Sequence, residues 1–167
     1  MSKSIGNGRY FLMAYEEGPR TPRFLYHPDT EVSRVICAEE PEKTEWVVLY
    51  QDNNPSGYYL WRDPLDQRLL CHKREDDTAI VNWNSGSNRS SQTWNIEAHS
   101  LPTSDDPDNY YYTLKPLSGP ETGYLTRGKE IAGTSPKRWE TSVKSGTGNS
   151  GSPGLDQRWR FLYVNPA

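Results

Sequence analysis

Three aromatic segments recur along this chain at intervals of about 50 residues, and this repetition constrains the fold more than any other feature of the sequence. The segments are GRYFLMA from Gly8, GYYLWRD from Gly57 and NYYYTLK from Asn109. Each is followed by a turn rich in Pro, Gly and Asp, by two further short runs, and by a polar loop. A tryptophan then opens a last strand-like run, at Trp46, Trp94 and Trp159. The chain therefore contains three copies of one sequence unit.

Each unit contains four short strand candidates bounded by turn-forming residues, and no stretch has the period and caps of a helix. The sequence thus predicts an all-β protein. A propeller needs more blades than three units supply, so we expect a compact barrel with pseudo-threefold symmetry. We assign residues 1–167 to one domain, with repeats at approximately 8–56, 57–108 and 109–167.

The three recurrent tryptophans are expected to fill equivalent positions of a shared core. Truncation of one of them to alanine should cost roughly 3 to 5 kcal/mol. The third unit is the longest, because it contains the insertion SVKSGTGNSGSPG. Its glycine and serine content predicts a flexible surface loop.

Composition excludes several classes of function. The net charge is −3 and the basic residues are scattered among acidic ones, which argues against a nucleic-acid partner. No apolar run is long enough to insert in a membrane. Two cysteines and no export signal near Met1 predict a cytoplasmic protein with reduced thiols. Three histidines outside any catalytic frame predict that the protein is not an enzyme, and we expect neither metal nor cofactor.

Two of the tryptophan strands carry a recognisable motif. Gln92-Thr93-Trp94 and Gln157-Arg158-Trp159 match the Q-x-W signature of ricin B-type β-trefoil lectins, while the first unit has Thr44-Glu45-Trp46. With the threefold register, the chain resembles the fungal, cytosolic ricin-B-like group over nearly its whole length. The resemblance implies a β-trefoil of three pseudo-symmetric four-strand repeats that binds carbohydrate and catalyses nothing.

The resemblance also implies where sugars would bind. The family places an aromatic ring at the end of a strand upstream of Q-x-W, and Trp83 and Trp139 take that place in the second and third units, whereas the first unit has Ala38. An apolar pyranose face lies on such a ring. Strand alternation supports this for Trp83: if Ile80 faces the core, Trp83 faces outward.

Around these rings the resemblance assigns further residues. In the second unit His72 would hydrogen-bond sugar hydroxyls, while Asn84 and Asn88 would set specificity from the loop. Arg127, Trp139 and Asp156 would form a weaker third-unit site. Where the family usually has an aspartate acceptor, this chain has His27, His72 and Arg127. Galactose and GalNAc are the commonest ligands of the family, and GlcNAc-containing and sialylated glycans stay open here, as does a homodimer.

A protease inhibitor is the alternative, because some inhibitors of similar size resemble this chain in architecture. Such a protein acts through an exposed loop stiffened by proline. The candidate loops are Glu16 to Pro22, Arg62 to Gln67 and Leu117 to Gly123. An inhibitor of this kind has no need for the Trp83 and Trp139 pair.

Overall fold

The computed structural model describes residues 4–15, 21–28, 33–52, 54–63, 65, 67–100, 110–119 and 123–167, with backbone but no side chain at positions 63, 88 and 100. These residues form thirteen β-strands in one antiparallel sheet. The strands are β1 (Gly8–Ala14), β2 (Arg23–Tyr26), β3 (Ser33–Arg34), β4 (Ile36–Glu39), β5 (Glu45–Gln51), β6 (Gly57–Asp63), β7 (Arg68–Lys73), β8 (Thr78–Trp83), β9 (Trp94–Ser100), β10 (Tyr110–Pro116), β11 (Gly123–Ile131), β12 (Arg138–Ser145) and β13 (Trp159–Asn165). One short helix, α1 (Arg89–Gln92), follows β8.

Six of the strands close into a barrel. Going around it, β1 pairs with β5, β5 with β6, β6 with β9, β9 with β10, β10 with β13, and β13 returns to β1. Closure leaves these six strands without a free edge. The other seven strands lie outside the barrel and pair mostly as hairpins, such as β7 with β8 and β11 with β12.

The all-β prediction is confirmed, but the predicted β-trefoil of three four-strand repeats is wrong. The structure has a closed six-strand barrel with seven outer strands, and the stretch assigned to the first repeat contains five strands. Its expected third strand is interrupted at Val35 into β3 and β4. The two pieces have different partners, because β3 pairs with β8 while β4 pairs with β2 and β12.

The core prediction for the three recurrent tryptophans is confirmed. Trp46, Trp94 and Trp159 are completely buried in one hydrophobic cluster. Leucines from the barrel and from the outer strands complete this cluster, and all of them are fully buried: Leu12, Leu60 and Leu114 from β1, β6 and β10, and Leu25, Leu70 and Leu125 from β2, β7 and β11. Aromatic and leucine side chains thus supply the packing that a chain with only 33% hydrophobic residues needs.

Pairing across the barrel corrects the alignment of the tyrosines by one residue. Tyr10 lies opposite Trp46, Tyr58 opposite Trp94 and Tyr112 opposite Trp159. The third letters of the segments GRYFLMA, GYYLWRD and NYYYTLK would instead align Tyr10 with Tyr59 and Tyr111. Neighbouring tyrosines are indistinguishable by type in YY and YYY runs, so only strand register separates the inward ones from the rest.

The three recurrent tryptophans differ in the hydrogen bond that the indole N–H donates. The indole N–H groups of Trp94 and Trp159 donate to the carbonyls of Leu70 and Leu125, at 2.9 and 3.1 Å. The indole nitrogen of Trp46 has no acceptor among the described residues. Its counterpart carbonyl would be that of Leu25, which accepts from the backbone N–H of Thr44 at 3.4 Å. The first unit therefore departs from the motif in structure as well as in sequence.

No helix in the described part of the chain has the length and apolar character needed to span a membrane.

Candidate functional site

Trp83 is the most exposed tryptophan on the described surface, with 54% of its area open to solvent. It is the last residue of β8 and lies opposite Arg68, the first residue of β7. The guanidinium carbon of Arg68 lies 5.8 Å from the centroid of the indole ring. The buried guanidinium group of Arg68 therefore lies on one side of the indole ring. Solvent reaches the ring at the end of the strand.

The exposure of Trp83 has a different cause from the one predicted. Val81, on the same face of β8, is completely buried, while Ile80 is only half-buried and packs against a second cluster around Trp61 and Leu69. Trp83 thus shares the inward face of the strand. It is exposed because β8 runs past the end of the core at this residue. The ring is exposed, as predicted, but the premise that Ile80 faces the core, and with it the expected outward direction of Trp83, is wrong.

The loop after Trp83 is held in place by the glutamine of the Q-x-W motif. Gln92 is 1% exposed, and its amide nitrogen donates to the Asn84 side-chain oxygen at 2.7 Å and to the Tyr59 hydroxyl at 3.2 Å. Its amide oxygen accepts from the backbone N–H of Ser85 at 3.1 Å. The motif glutamine therefore orders the loop from below, and both ends of its amide are engaged within the protein.

Asn84 is exposed, yet both ends of its amide are used within the protein. The nitrogen donates to Gln67 at 3.2 Å, and the oxygen accepts from Gln92. The structure thus gives Asn84 a positioning role in the loop instead of the direct contact expected from sequence. The side chain of Asn88, the other predicted loop residue, lies outside the described atoms.

His72 does not offer a free ring nitrogen to a ligand. It is 3% exposed, with Nδ1 2.8 Å from the Ser118 hydroxyl and Nε2 2.8 Å from a carboxylate oxygen of Asp77. Both nitrogens are therefore engaged, and the expected hydrogen bonds from His72 to sugar hydroxyls have no place in this arrangement.

A catalytic triad consists of a serine, a histidine and an aspartate, and the hydrogen-bonded set Ser118, His72 and Asp77 contains these three residue types. Such a site also needs backbone N–H groups directed at the developing oxyanion. The N–H of Ser118 donates to the Ser90 carbonyl at 3.0 Å, and that of Gly119 to the Pro116 carbonyl at 3.2 Å. With both groups satisfied, the network links β7 to the turn after β10 and provides no oxyanion site there.

Beside Trp83 lies a cleft of about 290 Å³ with a polar wall. It is bounded by the strands β7 and β8 and by the residues that follow Trp83. Cations, a carboxylate, an amide and hydroxyls all reach it, from Lys73, Arg74, Glu75, Asn82, Ser87, Ser90 and Ser91. Cys71 also borders the cleft, and burial raises the pKa of its thiol to about 12. The cleft thus combines one exposed aromatic ring with donors and acceptors, and its thiol stays protonated.

Trp139 does not have the exposed position that the sequence led us to expect. Trp139 is 6% exposed and belongs to the main core cluster. β12 pairs with β4, which sets Trp139 opposite Cys37, and the guanidinium carbon of Arg23 lies 4.0 Å from the ring centroid. A neighbouring strand and an arginine therefore cover the ring, and it cannot act as a platform for an external ligand.

The other two third-unit residues do meet. Arg127 and Asp156 border a second, wider cleft of about 610 Å³, together with Arg158 and the residues of the 147–155 loop. Trp139 is not among its lining residues. The structure therefore separates the predicted third site into a buried tryptophan and a polar cleft without an aromatic wall.

The 147–155 loop is folded on itself, which corrects the prediction of a flexible segment. Gln157 is completely buried, and its amide oxygen accepts from the backbone N–H groups of Thr147 and Gly154, at 3.0 and 3.1 Å. Its amide nitrogen donates to the carbonyls of Lys144 and Ser145 and to the Thr126 hydroxyl. The second motif glutamine thus orders a loop beside a cleft, as Gln92 does for the first.

Sequence reasoning missed most of the residues that line the first cleft. Lys73, Arg74 and Glu75 follow His72 directly, but no motif marks them. Ser90 and Ser91 reach the cleft because α1 packs against β7, while Gln92 anchors this short helix to Tyr59 of β6. The sequence signal for this part of the cleft is the motif glutamine Gln92, whose hydrogen bonds hold the loop and α1 in place.

Other kinds of site find little support in the described residues. Within the described ranges, no group of three or more His, Cys, Asp and Glu side chains could hold a metal ion. The central residues of the three candidate inhibitory loops, among them 16–20, 64, 66 and 120–122, lie outside the described part of the chain.

Comparisons with known proteins reveal a similar fold and do not assign a function. No family model matches the sequence, and no curated protein matches it. Among solved structures, the chain is similar to part of a mosquitocidal holotoxin, with a TM-score of 0.67 and 19% sequence identity. The match covers 97% of this chain but 18% of the holotoxin chain. At this identity the similarity concerns the fold alone.

Proposed function

We propose that this protein binds carbohydrate through the cleft beside Trp83, without catalysis. The exposure of the Trp83 indole next to a polar cleft is the observation that carries the proposal. A half-exposed indole beside a cleft with a polar wall presents the flat apolar face on which a sugar ring can stack. The resemblance to ricin-B-like lectins and the fold shared with part of a toxin support the same conclusion.

The chemistry of the cleft suits a pyranose. The apolar C–H face of the sugar would lie on the indole, whose ring prefers such contacts. Sugar hydroxyls both donate and accept, and here Glu75 can accept while Lys73 and Arg74 can donate. Asn82 and the three serines can do either. We expect a terminal sugar of the galactose or GalNAc type, as in the lectins that the chain resembles.

A single shallow site of this kind should bind weakly, with a dissociation constant in the roughly millimolar to micromolar range. Useful affinity would then require several sites to engage one glycosylated surface. The partners would be glycans or glycoproteins presented at high density.

The test is a glycan array probed with the purified protein and two variants. Trp83→Ala should lose binding, and Trp83→Phe should keep part of it, because a smaller aromatic face remains. Tyr50→Ala is the matched control, since Tyr50 is 49% exposed on β5 and does not border the cleft. Glycan binding that persists in a folded Trp83→Ala variant would refute the assignment.

Glu75→Gln provides a second, finer test. It removes the carboxylate acceptor while it keeps shape and polarity, so binding of the preferred sugar should weaken without loss of the fold. The order of preference among galactose, GalNAc and GlcNAc should change at the same time. An unchanged array profile would show that Glu75 does not contact the sugar.

A further inference from the structure

A third cavity lies in the wall of the six-strand barrel. It is a groove of about 290 Å³, bordered by residues 4–6, by Tyr10 of β1, by Tyr110 and Tyr112 of β10, and by residues 160–163 of β13. It shares no lining residue with the Trp83 cleft or with the wider cleft at Arg127. We call this cavity the barrel groove. Most of the side chains that border it are aromatic or aliphatic, so its chemistry differs from that of both clefts.

The barrel groove exists because two neighbouring strands of the barrel separate. Among the described residues, β10 and β13 are paired only where Tyr112 lies opposite Trp159. Beyond this point β10 pairs with β9 as far back as Tyr110, while β13 pairs with β1 as far as Asn165. The two strands thus follow different partners, and a gap opens between them in the barrel wall.

The segment that precedes β1 closes one side of the groove. The Tyr10 hydroxyl donates to the Gly6 carbonyl and the Tyr58 hydroxyl donates to the Ile5 carbonyl, both at 2.8 Å. Ile5 is buried and belongs to the main core cluster. Hydrogen bonds and burial therefore hold this segment in place, and the groove is formed without a ligand.

The aromatic rings of the groove pack against one another. The ring of Phe161 meets those of Tyr10 and Tyr112 edge to face, with centroids 5.6 and 5.3 Å apart. The ring of Tyr163 meets that of Tyr10 in the same way, at 5.6 Å. Gly8 permits this position, because a methyl group at Gly8 would lie 2.9 Å from the Tyr163 ring. Rings that are already held in position lose little freedom when a flat ligand binds among them.

The mouth of the groove is open to solvent. Tyr163 is 59% exposed, and Leu162 beside it is exposed as well. Exposed apolar side chains that adjoin a groove are typical of binding sites. An apolar cavity of roughly 150 Å³ is large enough to hold benzene. The barrel groove therefore has room for one or two fused rings with a short polar substituent.

The charge of the groove indicates which substituent it accepts. Among the described residues that border it, Arg160 is the only charged one. Its side chain makes neither a hydrogen bond nor an ion pair with the described part of the chain. A guanidinium group binds a carboxylate through two parallel hydrogen bonds. An aromatic wall with one free cation thus favours an aromatic anion.

From this geometry we infer that the barrel groove is a second ligand site, which takes a small planar aromatic ring that carries a carboxylate. The ring would lie among Tyr110, Phe161 and Tyr163, and the carboxylate would bind the guanidinium group of Arg160. The inference goes beyond carbohydrate binding and does not depend on it, because the two sites have no residue in common.

The experiment compares three compounds by isothermal titration. Indole-3-acetate is the test ligand, indole-3-acetamide has the same ring without the charge, and cyclohexylacetate has the charge without an aromatic ring. The acid should bind, and the amide should bind about tenfold more weakly, because it loses a charge-assisted contact. Cyclohexylacetate should also bind more weakly. The inference is overturned if the acid does not bind, or if either of the other compounds binds as tightly.

Substitutions at the groove test the two parts of the site. Arg160→Gln should remove most of the difference between acid and amide, and Arg160→Lys should restore part of it. Arg89→Gln is the matched control, because Arg89 is an exposed arginine outside the groove. Tyr163→Ala should weaken binding of both compounds, whereas Tyr50→Ala, which removes an exposed tyrosine outside the groove, should not. Full affinity in both Arg160→Gln and Tyr163→Ala would show that the acid binds elsewhere.

NMR locates the ligand without any substitution. Indole-3-acetate should shift the amide signals of Ile5, Gly6 and Leu162 and leave those of Trp83 and Ser87 in place. Shifts confined to the Trp83 cleft would overturn the groove site and leave the carbohydrate proposal standing. Shifts at the groove in a protein that binds no glycan on the array would support the groove site and refute the carbohydrate site alone.

Discussion

The guanidinium carbon of Arg23 lies 4.0 Å from the ring centroid of Trp139, and this contact closes a face that the sequence would leave open. Trp83 occupies the corresponding place in the second unit, but its ring is 54% exposed. The difference lies in the neighbours. β12 is paired with β4 on the side of Trp139, whereas β8 ends at Trp83 with a polar loop beyond it. The two tryptophans therefore have different roles despite the same position in the pattern.

Truncation of the two tryptophans should separate these roles. Trp139→Ala should lower the free energy of unfolding by roughly 3 to 5 kcal/mol, because it removes a buried ring from the core. Trp83→Ala should change it by less than about 1 kcal/mol, since half of the ring is already in water. Urea unfolding followed by far-UV circular dichroism measures both. Equal losses in the two variants would contradict the contrast.

The motif glutamines should matter through the loops that they hold. Gln92→Ala leaves the backbone N–H of Ser85 and the amide oxygen of Asn84 without their partner. The expected cost is about 1 to 3 kcal/mol, with weaker binding at the Trp83 cleft. Thermal unfolding and the glycan array report the two effects. Gln51→Ala is the control, because Gln51 is only partly buried and does not border the Trp83 cleft, and it should change neither by much.

Glycine substitutions test whether the 147–155 loop is as compact as its contacts indicate. Gly146→Ala should destabilise the protein, because the added methyl group overlaps the backbone at Gly151. Gly86→Ala is the control, since nothing lies within 4 Å of its added carbon. The expected difference between the two is about 1 to 3 kcal/mol. Similar midpoints in chemical unfolding would show that the loop can move aside.

The pH dependence of stability should contain a contribution from His99. Burial lowers the pKa of His99, and nearby Arg158 and Lys115 lower it further against the opposing effect of Glu97. The folded state thus favours the neutral ring. Its stabilising effect is complete above the unfolded pKa, about 6.5, and is lost as the pH falls through the folded value. In His99→Gln, unfolding free energies between pH 7 and 5 should therefore fall less steeply than in the unsubstituted protein.

Both cysteines should resist thiol reagents in the native state. Cys37 is completely buried and Cys71 is 5% exposed, and burial raises the pKa of the Cys71 thiol to about 12. The reactive thiolate is therefore scarce at pH 8. Native protein should react with a chromogenic disulfide reagent slowly, and urea-unfolded protein at once. Rapid labelling of Cys71 without urea would show that β7 opens locally, and rapid labelling of Cys37 would show the same of β4.

The amino-acid sequence by itself determined the strand-rich class, the places of the buried tryptophans and the exposure of Trp83. These follow from local patterns, namely aromatic spacing, turn residues and strand length. Only the tertiary structure decided how strands pair: β3 and β4 part at Val35, Tyr58 and not Tyr59 lies opposite Trp94, and β4 covers Trp139. Pairing joins residues far apart in the chain, and its register depends on the whole barrel at once. For the same reason His72 and Gln157 could be picked out by position, but their partners Ser118 and Thr126 could not.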